Sequence, residues 1–327
     1  MSITVPAVEL SPPFGPPSFA LALQAARQAA GAQHYPASAL YVVATPIGNL
    51  ADITLRALHL LQLADAIACE DTRHSGQLLR AYGIDPKTLI ALHEHNEAEA
   101  AQGVLARLAR GERVAYVSDA GTPAVSDPGA RLAAACAAAG WRVVPLPGAS
   151  SVTAALCASG LVGDGQFVFA GFLPARIAER QTAIAALAHE PRAVVLLEAP
   201  HRIAALAAAL AALGPRPVTV ARELTKQFEH IATLPCADLP AWLQAGAQRQ
   251  RGEFALVLHP GQTSVPAQHG ERALALLLAE GLPLKTAVRL AAELTGAPRN
   301  ALYTQALALK SEIAKAAESQ PGWHREA

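Results

Sequence analysis

The chain is poor in the features that commit a protein to several large classes. It has only four cysteines in 327 residues, and Cys69, Cys136, Cys157 and Cys236 stand far apart with no C-x-x-C pair. That pattern argues against zinc ribbons and thioredoxin-like chemistry, and it predicts reduced, mostly buried thiols in a cytosolic protein. No run approaches the ~20 uninterrupted apolar residues of a membrane span. The N-terminus lacks the basic stretch and apolar run of a signal peptide, so the expected compartment is the cytoplasm. Charged residues make up only 16% of the chain, and 26 Lys+Arg cancel 26 Asp+Glu. A neutral chain has no whole-molecule grip on nucleic acid, so any RNA site must be a local basic patch. The phosphate-cradling patterns G-x-G-x-x-G and G-x-x-x-x-G-K-[ST] are both absent. Dinucleotides and triphosphates therefore lose ground to a nucleoside-like ligand without a polyphosphate.

What the chain has in quantity is alanine and apolar sequence, 52% hydrophobic overall, enough for two globular cores. Residues 1–38 form a separate tract. Ser11-Pro12-Pro13-Phe14-Gly15-Pro16-Pro17 cannot be helix or inner strand, and a short helix around Phe19 to Ala30 follows. This tract reads as a flexible N-terminal extension. The ordered pattern begins at Leu40–Ala44, a buried-strand run, after which Asp52 or Thr54 can cap a helix carrying Leu55, Leu58 and Leu61. Ala66–Cys69, the stretch near Leu89 to Leu92, Arg113–Val117 and Arg142–Leu146 continue the strands, separated by helical stretches. This alternation predicts an α/β domain over 39–162, with a mostly parallel sheet covered on both faces. After a Gly/Asp-rich break, strands at Phe167–Ala170, Ala193–Leu197, Pro217–Ala221 and Phe254–Leu258 predict a second α/β domain over 163–260. Residues 261–327 form a helical tail.

In parallel α/β sheets, ligands sit in the loops beyond the carboxyl ends of strands. Three such loops are unusual here: Thr45–Leu50, Ser118–Gly129 and Pro145–Ser151. Glycine admits close backbone approach, proline stiffens the loop, and small hydroxyl side chains offer hydrogen bonds. Any one of them could be an ordinary strand–helix turn. Three on one sheet edge describe a pocket.

The segments V-A-T-P-I-G-N-L-A-D-I-T, A-C-E-D-T-R-H, V-S-D-A-G-T-P, D-P-G and V-P-L-P-G resemble the tetrapyrrole-methylase superfamily. More narrowly, they resemble its branch of 16S ribosomal RNA cytidine-1402 2′-O-methyltransferases. H-E-H-N-E at 93–97, A-G-F-L-P at 170–174, E-A-P-H-R at 198–202, A-R-E-L-T-K at 221–226 and R-G-E-F at 251–254 agree, so the resemblance runs in order from Leu40 onward. It implies a two-domain fold whose cleft binds S-adenosylmethionine, 16S rRNA of the small ribosomal subunit as substrate, and a homodimer. Carried over by motif, Pro46 and Gly48 belong to the first cofactor loop, and Gly121, Thr122, Pro123 and Val125 to the second. Ser151 and Val152 belong to the third, and Leu173 approaches from the second domain. Ala124, Ala149 and Ala199 depart from the residues usual in that branch.

Methyl transfer from a sulfonium is an in-line displacement, so positioning the acceptor oxygen is a major task. A ribose hydroxyl is a poor nucleophile until a base or cation helps it ionise. The catalytic candidates are Asp71, Arg73, Glu223 and Lys226. Lys226 or Arg73 would lower the hydroxyl's pKa or grip a phosphate; Asp71 or Glu223 would accept the proton or orient that cation. Each segment also reads as an ordinary ion pair or helix cap. His93-x-His95 lacks a third ligand, so no metal is expected. In the tail, helices over 271–280, 285–295 and 299–317 with a turn at Gly296 have helix-turn-helix proportions. Lys285, Arg289, Arg299, Lys310 and Lys315 outnumber Glu293 and Glu312, which favours a phosphate-facing surface over simple packing. Two other functions fit parts of the pattern: a methylase of a small tetrapyrrole precursor, and a non-enzymatic nucleic-acid-binding regulator using the tail.

Overall fold

Two stretches of alternating strand and helix close into two separate five-stranded sheets. The computed structural model describes residues 19–85, 87–93, 96–127, 129–162, 165–261 and 265–307. Helix α1 (Ala20–Ala30) leads into the first sheet. It is followed by β1 (Ala39–Val43), α2 (Leu55–Leu63), β2 (Ala66–Cys69), α3 (Thr72–Tyr82), β3 (Thr88–Ala91) and α4 (Glu97–Ala109). Then come β4 (Arg113–Val117), α5 (Gly129–Ala138), β5 (Arg142–Leu146) and α6 (Ser151–Ala158). The strands lie in the order β3-β2-β4-β1-β5, with every pair parallel.

Strand periodicity of two explains both cores of this sheet. Tyr41, Val43, Ile67, Cys69, Ala115 and Val117 pack beneath α1, α2 and α3. Leu40, Ala68, Val114 and Tyr116 face α4 and α5. The chain leaves β1 for β2 across the first face and leaves β4 for β5 across the second. Because β1 and β4 are neighbours, the loops that follow them open side by side at the point where the winding direction reverses. That crevice is where open α/β sheets bind ligands.

The second sheet contains β6 (Phe167–Gly171), β7 (Ala193–Glu198), β8 (Pro217–Arg222), β9 (His230–Pro235) and β10 (Phe254–Leu258). Helices α7 (Ile177–Leu187), α8 (Ile203–Leu210) and α9 (Leu239–Gln244) connect them. Its order is β6-β7-β10-β8-β9; only β6–β7 is parallel and the other pairs are antiparallel. Val194, Leu196, Val218, Val220 and Leu256 pack under α8 and α9. On the opposite face, Val195, Ala221, Ala255 and Val257 meet Ala155 of α6 and Ile47 of the β1–α2 loop. This second face joins the two sheets. Beyond it, α10 (Val265–Ala279), α11 (Leu284–Thr295) and a helical run over 299–307 share a small core of Leu274, Ala287, Val288, Ala291, Leu302 and Ala306.

Several sequence-based expectations need correction. The extension expected to be flexible over 1–38 is not so from residue 19 onward. Leu23, Ala26 and Tyr35 are buried in the first core, and Phe19 stacks edge-on against Tyr82. Residues 1–18, with the proline run, lie outside the described residues. Thr54 caps α2 by accepting from the Ala57 N–H, but Leu55 is exposed and Leu60 takes its place beside Leu58 and Leu61. Strand β9 has no counterpart in the sequence reading. It is an edge strand held by backbone pairing to β8, with a mixed, half-buried face. Lys310, Glu312 and Lys315 lie outside the described residues.

Candidate active site

The three unusual loops of the first sheet are tied into one wall by backbone and hydroxyl bonds. Thr45 and Gly121 exchange both hydrogen bonds of an isolated antiparallel bridge, Thr45 N–H to Gly121 O at 2.9 Å and Gly121 N–H to Thr45 O at 3.0 Å. The Thr122 hydroxyl donates to the Ala149 carbonyl at 3.0 Å, joining the second loop to the third. The second loop is folded around one carboxylate. Asp127 accepts from the Tyr116 hydroxyl at 2.6 Å and from the N–H groups of Ala124 and Gly129. Ala124 takes up the left-handed backbone conformation (φ 67°) inside that turn. The Tyr116 phenol is held protonated far above its ordinary range, by burial first and by Asp127 second.

These loops and the second sheet enclose a cavity of about 440 Å³, within the size range of small-molecule sites. Gly121, Thr122, Val125, Ser151 and Val152, all sequence candidates for the cofactor, line it. Pro46, Gly48 and Pro123 do not line it, and Leu173 is buried in the core of the second sheet. The opposite wall comes from Phe169, Phe172, Leu197, Leu224 and Ala255. Glu70, Asp119, Glu198 and Glu253 bring carboxylates to it. Glu70 is held above the usual carboxylate range, first by partial burial and then by repulsion from Asp119, Asp127 and Asp71.

None of the four catalytic candidates lines the cavity; they form two ion pairs beside it. Asp71 caps α3 by accepting from the Arg73 N–H at 2.8 Å, and its own N–H donates to Asp119. Its carboxylate pairs with Arg73, whose side chain is 87% exposed. The hydrogen bonds from Arg73, side chain and then backbone, draw the Asp71 pKa down to about 2. Such a carboxylate is a weak proton acceptor, and the helix cap is a sufficient structural reason for it.

The second pair is built into the fold. Glu223, immediately after β8, and Thr225 both adopt left-handed backbone conformations. Lys226 Nζ donates to Glu223 Oε1 at 2.8 Å and to Glu253 Oε2 at 3.1 Å. Glu223 Oε1 also accepts from the Glu253 N–H at 3.0 Å. Two glycines make room for this cluster. A methyl on Gly48 would stand 2.4 Å from Lys226 Cγ, and one on Gly252 would stand 2.3 Å from the Glu223 carboxylate. The lysine stem therefore lies across the first loop of the other sheet. Burial works against the Lys226 charge, but hydrogen bonds and attraction from Glu223 and Glu253 outweigh it and raise its pKa. Burial likewise opposes the Glu223 charge, and Lys226 with the Glu253 N–H overcomes it, lowering that pKa. The cluster holds the Lys226 ammonium between the side chains of Glu223 and Glu253.

Phe169, Phe172, Leu224, Glu198 and Glu253 are cavity residues that sequence reasoning did not select. All come from the second sheet or its loops, and although Phe172, Glu198, Leu224 and Glu253 lie in segments that carry the resemblance, nothing in those segments says which side chain turns inward. His95 and Glu94 lie outside the described residues, and among the described residues no group of three His, Cys, Asp or Glu is arranged to hold a metal.

Comparison with known proteins agrees over most of the chain. The profile of the tetrapyrrole (corrin/porphyrin) methylases matches residues 39–240, and that of the RsmI C-terminal HTH domain matches residues 264–310. "Ribosomal RNA small subunit methyltransferase I" of Escherichia coli O157:H7 is 49% identical, over 82% of this chain and 94% of that protein. Its counterpart in Pseudomonas aeruginosa is 48% identical, over 83% and 97%. Among solved structures, a cobalt precorrin-4 methyltransferase superposes with TM-score 0.51 at 21% identity, over 67% of this chain and 94% of that one. A conserved hypothetical protein from Aeropyrum pernix K1 superposes with TM-score 0.53 at 18% identity, over 88% and 100%. These two likenesses speak to the fold alone.

Proposed function

We propose an RNA methyl transfer, from the premise that the chain belongs to the tetrapyrrole (corrin/porphyrin) methylase family and, within it, to the ribosomal RNA small subunit methyltransferase I family. The methyl group passes from S-adenosylmethionine to the ribose 2′-hydroxyl of cytidine 1402 in 16S rRNA. The observation that carries this reading is the single wall made by the three stapled loops, facing a second sheet across a cavity of about 440 Å³. The residues present suit the methyl donor. The cavity is of small-molecule size, it lacks a phosphate-binding loop, and its carboxylates favour a cationic ligand over a polyphosphate. When bound, S-adenosylmethionine supplies an electrophilic methyl on a positively charged sulfur.

The chain's own contribution is orientation and charge. Gly121, Thr122, Val125, Ser151 and Val152 form the donor-facing surface, and Phe169 and Phe172 close the far side. Lys226 is held charged at the seam of the two sheets, where an ammonium stabilises developing negative charge on a hydroxyl or grips a neighbouring phosphate. Glu223 already accepts from Lys226, so its role is to aim the cation. Arg73, exposed on its Asp71 partner, is free to reach a phosphate. On the tail Lys285 and Arg299 are exposed, while Arg289 is paired with Glu293. A ribosomal substrate implies a cytoplasmic enzyme, and the resemblance implies a homodimer, which sedimentation would check. The test of the function is direct: purified small subunits and labelled methyl donor, followed by mass mapping of ribose methyls in 16S rRNA. Absence of a new 2′-O-methyl cytidine would sink the reading.

A further inference from the structure

We infer that Glu198 is a ligand-binding residue whose free carboxylate oxygen accepts a hydrogen bond from an O–H or N–H of the methyl donor. The inference rests on the function proposed above and adds to it a residue that was not among the sequence candidates. Glu198 ends β7, opposite Phe254 of β10, and lines the cavity. The residue is 2% exposed. Its Oε1 accepts from the Ala199 N–H at 2.9 Å and faces Arg202 Nε at 3.1 Å. Its Oε2 is shut away from solvent with no partner among the described residues.

Buried acceptors are nearly always satisfied, and a carboxylate oxygen is among the costliest to leave bare. An ion pair alone does not explain the arrangement, because Arg202 engages only the Oε1 side. The same guanidinium donates through Nη2 to the carbonyl of Leu173, so it ties the end of β7 to the loop after β6 and fixes the plane of the carboxylate. A rigidly held acceptor with one buried, unpartnered oxygen at the cavity wall suits a molecule that brings a donor to that wall. S-adenosylmethionine offers such donors on its ribose, its adenine amino group and its α-ammonium.

Calorimetric titration with S-adenosylhomocysteine, the demethylated product, tests this without reading catalysis. Glu198→Gln keeps the shape of the side chain. It should weaken binding about 10- to 100-fold, the cost of losing a hydrogen bond to a charged acceptor. Repeating the titration with 5′-methylthioadenosine, which lacks the amino-acid part, locates the partner. A loss that persists assigns it to the nucleoside, and a loss that vanishes assigns it to the ammonium. Equal affinity of wild type and Glu198→Gln for S-adenosylhomocysteine overturns the inference, as does a variant that binds normally but fails to methylate. Should the variant not fold, wild type can be titrated with deaminated, 2′-deoxy, 3′-deoxy and N6-blocked analogues. At least one must lose a similar factor, and full affinity for all of them overturns the inference. If wild type itself ignores S-adenosylhomocysteine and S-adenosylmethionine, the methyl-donor reading of the cavity falls instead.

Discussion

Alanine at position 48 should release Lys226 from the two carboxylates that hold it. The added methyl would stand 2.4 Å from Lys226 Cγ and 2.8 Å from Cε, well inside the roughly 3.5–4.0 Å of ordinary carbon contact. The lysine stem is the movable partner, so it swings away and its ammonium leaves Glu223 and Glu253. The lost pairs are only partly buried, with Lys226 29% and Glu253 71% exposed. Water recovers much of their energy, and the stability loss should be about 1–2 kcal/mol. The catalytic loss should be larger. Removing one preorganised group that stabilises developing charge costs about 100- to 1,000-fold in rate. Gly48→Ala is therefore expected to fold, to bind S-adenosylhomocysteine within about threefold of wild type, and to lose at least about 100-fold in single-turnover methylation of small subunits. Lys226→Met, which keeps the stem and drops the charge, should show the same loss. Full activity in either variant refutes the role of the clasp. A Gly48→Ala rate loss matched by an equal loss of donor affinity would show instead that Gly48 acts through the donor loop.

Thr122→Val removes the hydroxyl that joins the second and third loops and leaves the Ala149 carbonyl without that donor. It should cost about 1 kcal/mol in urea unfolding and weaken S-adenosylhomocysteine binding severalfold; unchanged affinity would mean the loops hold together without it. The Asp71 pKa falls on folding from the ordinary 3.8 to about 2, so its stabilising contribution is present above pH 4 and is lost as pH drops toward 2. Asp71→Asn should flatten the acid limb of a stability–pH curve in that window and leave neutral activity within a fewfold if the residue is chiefly a helix cap. Deleting residues 261–327 should leave donor binding intact, because the tail has its own small core. The deletion should weaken rRNA binding and reduce its salt slope; an unchanged slope would mean the tail does not touch phosphate.

Local chemistry carried most of the strands. Ala66–Cys69, Arg113–Val117, Arg142–Leu146 and Phe254–Leu258 coincide with sequence expectation because buried strands in α/β sheets read as short apolar runs between turn signals. Gly296, in a left-handed conformation with its N–H on the Ala292 carbonyl, ends α11 where a helix-stop signal stands in sequence. What failed was whatever depended on a partner from elsewhere. Strand β9 exists because β8 offers it an edge, and α1 is ordered because Leu23 and Ala26 find the first core.

The same division runs through the site. The loops that carry Gly121, Thr122 and Ser151 were legible because glycine and small hydroxyl residues after a parallel strand have a backbone meaning of their own, while those individual positions came from the family resemblance. Whether a neighbouring residue faces the cavity was not legible, as Pro46 and Pro123 demonstrate. Glu198 and Phe172 sit in segments that carry the family resemblance, but their place on the wall depends on how the second sheet turns its face to the first. Periodicity and turn chemistry are properties of adjacent residues, so sequence alone determined most of the strands and the loops that follow them. Ion pairs, buried orphans and cavity walls join residues as distant as Gly48 and Lys226, and only the closing of one sheet on the other decided those.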